Sequence, residues 1–124
     1  MPNAELLEFF DSPADRPFLV EHVNDEFTSV CPMTGLPDFG TIRLRYVPAA
    51  RCIELRSFKY YLFTFRDRGI FYEDLANTLL DDIVAAIHPK ELDVIVDMNA
   101  RGGITARVTA SYRAVDGDGA PRAS

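Results

Sequence analysis

A thiol and a carboxylate lie seven residues apart in Phe27-Thr28-Ser29-Val30-Cys31-Pro32-Met33-Thr34-Gly35-Leu36-Pro37-Asp38-Phe39, a segment stiffened by two prolines and turned by a glycine. Loops held by a scaffold often carry function. Cys31 could act as a nucleophile, because only the thiolate attacks and nearby donors lower a thiol pKa from its ordinary value of about 8.5. Asp38 could supply the proton that such an addition needs. The residue types alone leave open an inert half-buried cysteine beside a solvated aspartate. Cys52, next to Ile53 in an apolar stretch, reads as a small core residue. Two cysteines are too few for a secreted disulfide framework and are not spaced as a zinc site. His22 and His88 have no ligand-spaced partners either, so no metal is expected.

Charge marks a second group of residues. The 124-residue chain carries a net charge of −6, which argues against a general nucleic-acid binder, because phosphate contacts need clustered Lys and Arg. Residues 41–68 depart from that average. Arg43, Arg45, Arg51, Arg56, Lys59, Arg66 and Arg68 stand there against only Glu54 and Asp67, a local +5 that leaves −11 for the remainder. Such an island suits a small anionic ligand, or equally a solvated face whose charges folding scatters. Ser57 can cap a helix beginning beside Arg56 and Lys59, and its exposed N–H groups would add to an anion site there. Glu73 falls at the start of a second helix, where the dipole favours a carboxylate.

The elements that must position these residues can be read from periodicity. Pro17 to Val23 reads as a strand, Asn24 to Gly40 as a loop rich in Pro and Gly, and Thr41 to Val47 as a half-buried strand with Ile42, Leu44 and Tyr46 on one side. Cys52 to Leu55 reads as a pairing strand that closes a hairpin around Val47 to Ala50. Phe58, Tyr61, Leu62 and Phe65 then mark one helical face, closed by Gly69. A second helix follows over Tyr72 to Ile87, ended by His88-Pro89. Leu92 to Met98 and Ile104 to Tyr112 read as strands joined by Ala100-Arg101-Gly102-Gly103, a tight turn. The order ββααββ predicts an α+β fold: an antiparallel four-stranded sheet with two helices on one face. Its open edges favour closure into a multi-subunit barrel. One domain over 17–113 is expected, with an arm over 1–16 and a flexible tail over 114–124. No stretch is long and apolar enough to span a bilayer and no leader is evident, so a soluble cytoplasmic protein is expected.

From about residue 17 to 113 the chain resembles the NADPH-dependent 7-cyano-7-deazaguanine reductases, the QueF nitrile reductase family in its short unimodular form. EFTSVCPMTGLPDFG is similar to the family's catalytic loop, in which Cys and Asp hold this spacing. ELRSFKYY, from Glu54 to Tyr61, resembles the signature linked to NADPH binding. FRDRGIFYEDL resembles the segment carrying the substrate-recognising glutamate, and NARGGI the family's usual Arg-Gly-Gly turn. Two departures stand out: Tyr72 replaces a common His, and Arg56 replaces the usual Lys.

The resemblance implies a tunnelling fold (T-fold) and reduction of the nitrile of 7-cyano-7-deazaguanine to 7-aminomethyl-7-deazaguanine with two NADPH, in queuosine biosynthesis. Cys31 would add to the nitrile carbon to give a thioimide, and Asp38 would protonate the nitrogen. Glu73, Tyr72 and Ser57 would hold the substrate, and Glu54, Arg56, Ser57 and Lys59 the NADPH. No Gly-x-Gly-x-x-Gly is present, so that cofactor would not sit in a Rossmann crevice. A homo-oligomer is implied, a decamer of two stacked pentamers, with no membrane and no direct nucleic-acid partner. Two rivals remain: a related amidine-forming T-fold enzyme acting on modified tRNA, which is described as lacking the ELRSFKYY-type signature, and a non-catalytic purine-binding module, which would not need Cys31 with Asp38. GTP cyclohydrolase I shares the fold class but needs a zinc set of Cys and His that this chain cannot readily supply.

Overall fold

A computed structural model describes residues 4–115. Strand β2 (Val20–Val30) turns into β3 (Pro37–Val47), and after two helices β5 (Glu91–Arg101) turns into β6 (Ile104–Arg113). These form one antiparallel sheet in the order β2-β3-β5-β6. The helices are α1 (Leu55–Phe63) and α2 (Tyr72–Ile87). Alternation along the strands separates two faces. Ile42, Leu44 and Tyr46 of β3 and Leu92, Val94 and Val96 of β5 are buried with Tyr61 of α1 and Leu75, Leu79 and Ile83 of α2 in one core. The opposite face carries cross-strand charge pairs, Glu21 with Arg45 and Asp97 with Arg107. The expected α+β sheet-and-helix arrangement is therefore present, and no helix among the described residues is long and apolar enough to cross a membrane.

The boundaries differ from expectation in ways that matter to the site. The segment 24–40 is mostly strand, and only residues 31–36 form the connection between β2 and β3. The polar run Asn24-Asp25-Glu26 coincides with a register shift between Asn24 and Phe27, where the pattern of a regular strand is lost while the pairing resumes beyond it. Cys52 to Leu55 does not extend the main sheet. Instead β4 (Arg51–Ile53) pairs with β1 (Phe9–Asp11) as a separate two-stranded ribbon. The ribbon is tied to the main sheet by the Ile53 N–H, which donates to the buried Tyr46 hydroxyl at 3.0 Å. Burial pushes that hydroxyl up to about 12.

Residues 7–11, expected to lie in a loose arm, are docked, since Leu7 is buried and β1 pairs with β4. The cap of α1 also shifts by one turn. Glu54, not Ser57, is the N-cap, its carboxylate accepting from the N–H groups of Arg56 and Ser57 at 2.8 Å each. The helix ends at Phe63 with Thr64 as its cap, before Gly69 is reached. Helix α2 ends where expected, His88 taking a left-handed conformation that closes it. The tail expected over 114–124 lies outside the described residues from 116 onward.

Candidate active site

Cys31 follows the last residue of β2 and opens the short connection to β3. Its N–H donates to the Leu36 carbonyl and its carbonyl accepts from the Gly35 N–H, both at 2.9 Å, so the turn is closed on itself around the cysteine. The thiol is partly exposed and unpaired. The Thr34 hydroxyl, followed by the backbone N–H groups of Met33 and Thr34, favours the thiolate and lowers the Cys31 pKa, against smaller opposing effects of desolvation and then of the Asp38 charge. The loop therefore supplies the donors that an activated thiol needs.

Asp38 is the second residue of β3 and is buried, on the same side of the strand as Ile42 and Leu44. Its Cα partner on β2 is Ser29, also fully buried, whose hydroxyl has no hydrogen-bond partner among the described residues. The Asp38 carbonyl accepts from the Thr28 hydroxyl at 2.8 Å, and its carboxylate forms an ion pair with Arg101 at the end of β5. Gly40, two residues on, allows this close packing. A Cβ there would come within 2.6 Å of the Asp97 carbonyl and the Met98 sulfur.

The third wall comes from the entry to α2. Val30 and Gly69 form a parallel bridge in which the Val30 N–H donates to Arg68 and the Val30 carbonyl accepts from Ile70. This stitch brings residues 70–73 beside the cysteine loop. Tyr72 and Glu73 occupy the first turn of α2, where Phe71 caps the helix without a side-chain bond. Burial first, then the Asp38 charge, pushes the Tyr72 hydroxyl above its ordinary value, so it stays a proton donor. The Glu73 carboxylate is exposed and has no protein donor among the described residues. Cys31, Pro32, Asp38, Ile70, Phe71, Tyr72, Glu73 and Arg101 line one cleft of about 230 Å³.

Four relevant side chains lie on α1 instead. Arg56 and Lys59 are exposed and make no ion pair among the described residues. Lys59 and Arg66 line a second groove of about 640 Å³ between α1 and β2, over an apolar floor including Phe27, Phe58 and Leu62. Glu54 spends its carboxylate on the helix cap, so the first N–H groups of α1 are already occupied. Ser57 is buried, its hydroxyl accepting from the Glu8 N–H at 2.9 Å and donating to the Glu54 carbonyl at 2.7 Å. It lines neither cavity.

A family profile described as QueF-like protein matches residues 37–116. A protein of Prosthecochloris aestuarii named NADPH-dependent 7-cyano-7-deazaguanine reductase is 60% identical over 90% of this chain and 96% of its own length. One of the same name from Chloroherpeton thalassium is 58% identical over 89% and 96%. The chain belongs to the QueF-like family. The crystal structure of an archaeosine synthase QueF-Like, in the apo form, superposes with a TM-score of 0.74 at 29% identity, covering 82% of this chain and 99% of that one. This chain therefore has the T-fold of its QueF-like relatives.

Within the QueF-like fold, the cleft gathers four residues the sequence singles out, Cys31, Asp38, Tyr72 and Glu73, from three separate elements. It separates them from the α1 cluster of Glu54, Arg56, Ser57 and Lys59. Two polar residues beside Asp38, Arg101 and Ser29, are not among the site residues the sequence nominates, although Arg101 stands in the NARGGI motif. The glycines after Arg101 mark the turn but not the direction in which the arginine points. Strand parity would have placed Ser29 and Asp38 together had β2 been read to its true end.

Proposed function

We propose that this QueF-like chain is an NADPH-dependent nitrile oxidoreductase that reduces 7-cyano-7-deazaguanine to 7-aminomethyl-7-deazaguanine in queuosine biosynthesis. The observation that carries the reading is the single cleft joining a donor-activated thiol, a buried carboxylate, a phenol held protonated and an open carboxylate. Close similarity to two proteins bearing the reductase name supports it. Cys31 forms the new S–C bond to the nitrile carbon while one C–N π bond is converted to N–H. The thiol's proton ends on that nitrogen, which makes the adduct a thioimide and balances the step without any oxidant. Asp38, which lines the same cleft, takes the proton from Cys31 and returns it to nitrogen. Glu73 accepts from the guanine-like edge of the base, and Tyr72 donates to the substrate from the same turn.

The donor set of α1 fits a phosphate-bearing cofactor. Arg56 and Lys59 are exposed, cationic and unpaired among the described residues, and a guanidinium at Arg56 can bind phosphate bidentately in place of the usual lysine. Two molecules of NADPH, bound in turn, would each supply one of the two hydrides that take a nitrile to an amine. Ser57 and Glu54 support these side chains by fixing the helix start. The protein acts in the cytoplasm as a homo-oligomer, a barrel in which the open edges of β2 and β6 are covered by further copies.

Intact-protein mass spectrometry after mixing with 7-cyano-7-deazaguanine, without NADPH, tests the reading. A covalent adduct of the substrate's mass that disappears in Cys31→Ala is expected. No adduct in the unsubstituted protein would overturn it, and adduct formation followed by no NADPH oxidation would favour the amidine-forming alternative instead.

A further inference from the structure

We infer that Arg101 is the positioning residue for Asp38, delivered by an irregular β5–β6 turn. The inference rests on the reading of Asp38 as the proton carrier. The Asp38 side chain is 4% exposed, and a carboxylate at that depth is costly unless a counter-charge compensates it. Its cross-strand partner Ser29 brings a hydroxyl but no charge, and the residues that follow on that side of β3 are Gly40 and Ile42. Arg101 supplies the cation. Its guanidinium donates to Asp38 Oδ1 and, at 3.4 Å, to the Pro37 carbonyl, so it is registered against both the side chain and the backbone of β3. Both bonds leave from one guanidinium nitrogen, Nη1, which ties the carboxylate to the backbone of its own strand and so limits the directions it can take.

The geometry of the turn explains how this residue arrives there. Along β5, Leu92, Val94, Val96 and Met98 face the core, whereas Asp93 and Asp97 face the charged side of the sheet. Unbroken alternation would send Arg101 to that charged side, away from Asp38. The pairing of β5 with β6 shifts between Met98 and Arg101, which resets the parity. Gly102 and Gly103, with φ of 60° and 81°, then complete the reversal in a conformation that L side chains rarely adopt. At 41% exposure, the Arg101 side chain also lines the cleft that holds Tyr72 and Glu73.

A double-mutant cycle on adduct formation tests this without involving NADPH. The rate of thioimide formation is measured in the unsubstituted protein, Arg101→Ala, Asp38→Asn and the double variant. Arg101→Ala is expected to slow the adduct by about 10- to 100-fold, the scale of a misdirected proton carrier. In the Asp38→Asn background the same substitution should cost almost nothing further, because the residue acts through Asp38. Equal losses in both backgrounds overturn the inference. So does an adduct rate in Arg101→Ala equal to that of the unsubstituted protein. Should Arg101→Ala fail to fold because Asp38 is left uncompensated, Arg101→Lys carries the comparison, with an intermediate rate expected and a full rate contradicting. An unsubstituted protein that forms no adduct overturns the functional reading and this inference together.

Discussion

Thr34 controls the thiol that the proposed chemistry depends on. Its hydroxyl is the largest of the three donors that lower the Cys31 pKa, so Thr34→Ala should move the midpoint of Cys31 alkylation by iodoacetamide to higher pH. A midpoint that does not move would mean the turn's backbone donors suffice. Tyr72 offers a second test at this scale. Its phenol is held protonated by burial and by Asp38, so Tyr72→Phe removes one donor, worth about 1 kcal/mol, and should raise the substrate KM by roughly fivefold with little change in adduct chemistry. Cys31 and Asp38 were legible because their spacing lies within one stretch of chain and matches a family motif. The pairing of Arg101 with Asp38 was not, although the NARGGI motif was, because the two lie 63 residues apart and the shift that turns Arg101 inward leaves no mark on hydropathy.

The elements hold these residues through a few close contacts. Gly40 lets β3 and β5 approach just beyond Asp38, and Gly40→Ala should lower stability by roughly 1–3 kcal/mol, as overpacking does, with chemical denaturation as the measure. Glu54 fixes the start of α1. Hydrogen bonds from the Arg56 and Ser57 N–H groups depress its folded pKa below 4.5, so its stabilisation is present above that value and is lost as pH falls through the depressed one. Glu54→Gln should therefore lower the melting temperature at pH 7, and the difference from the unsubstituted protein should shrink in acid. The sequence pointed to Ser57 as the cap because serine is the better capping residue by type. The serine hydroxyl is instead drawn to the backbone of residue 8, a contact set by the docking of β1 that no local pattern displays. The core strands and α2 were readable because alternation and helical periodicity survive along them, whereas β2 hides its length behind the polar residues at its irregular point.

At the scale of the molecule, β2 and β6 are the two ends of a four-stranded sheet, and among the described residues the far side of β2 is bridged at its end alone, where Val30 meets Gly69. Oligomerisation would cover both, and light scattering should give a mass that is a multiple of the single chain. A monomer at working concentration would contradict the barrel but not the chemistry of the cleft. In the proposed reaction the cleft at the ends of β2, β3 and α2 takes the nitrile and the cationic face on α1 takes the cofactor, so both must act together. The decisive measurement is the stoichiometry of that reaction in purified protein given 7-cyano-7-deazaguanine and NADPH. Two NADPH oxidised per substrate, with none above background in Cys31→Ala, is the expected result; oxidation that persists in Cys31→Ala, or none in the unsubstituted protein, would contradict the account.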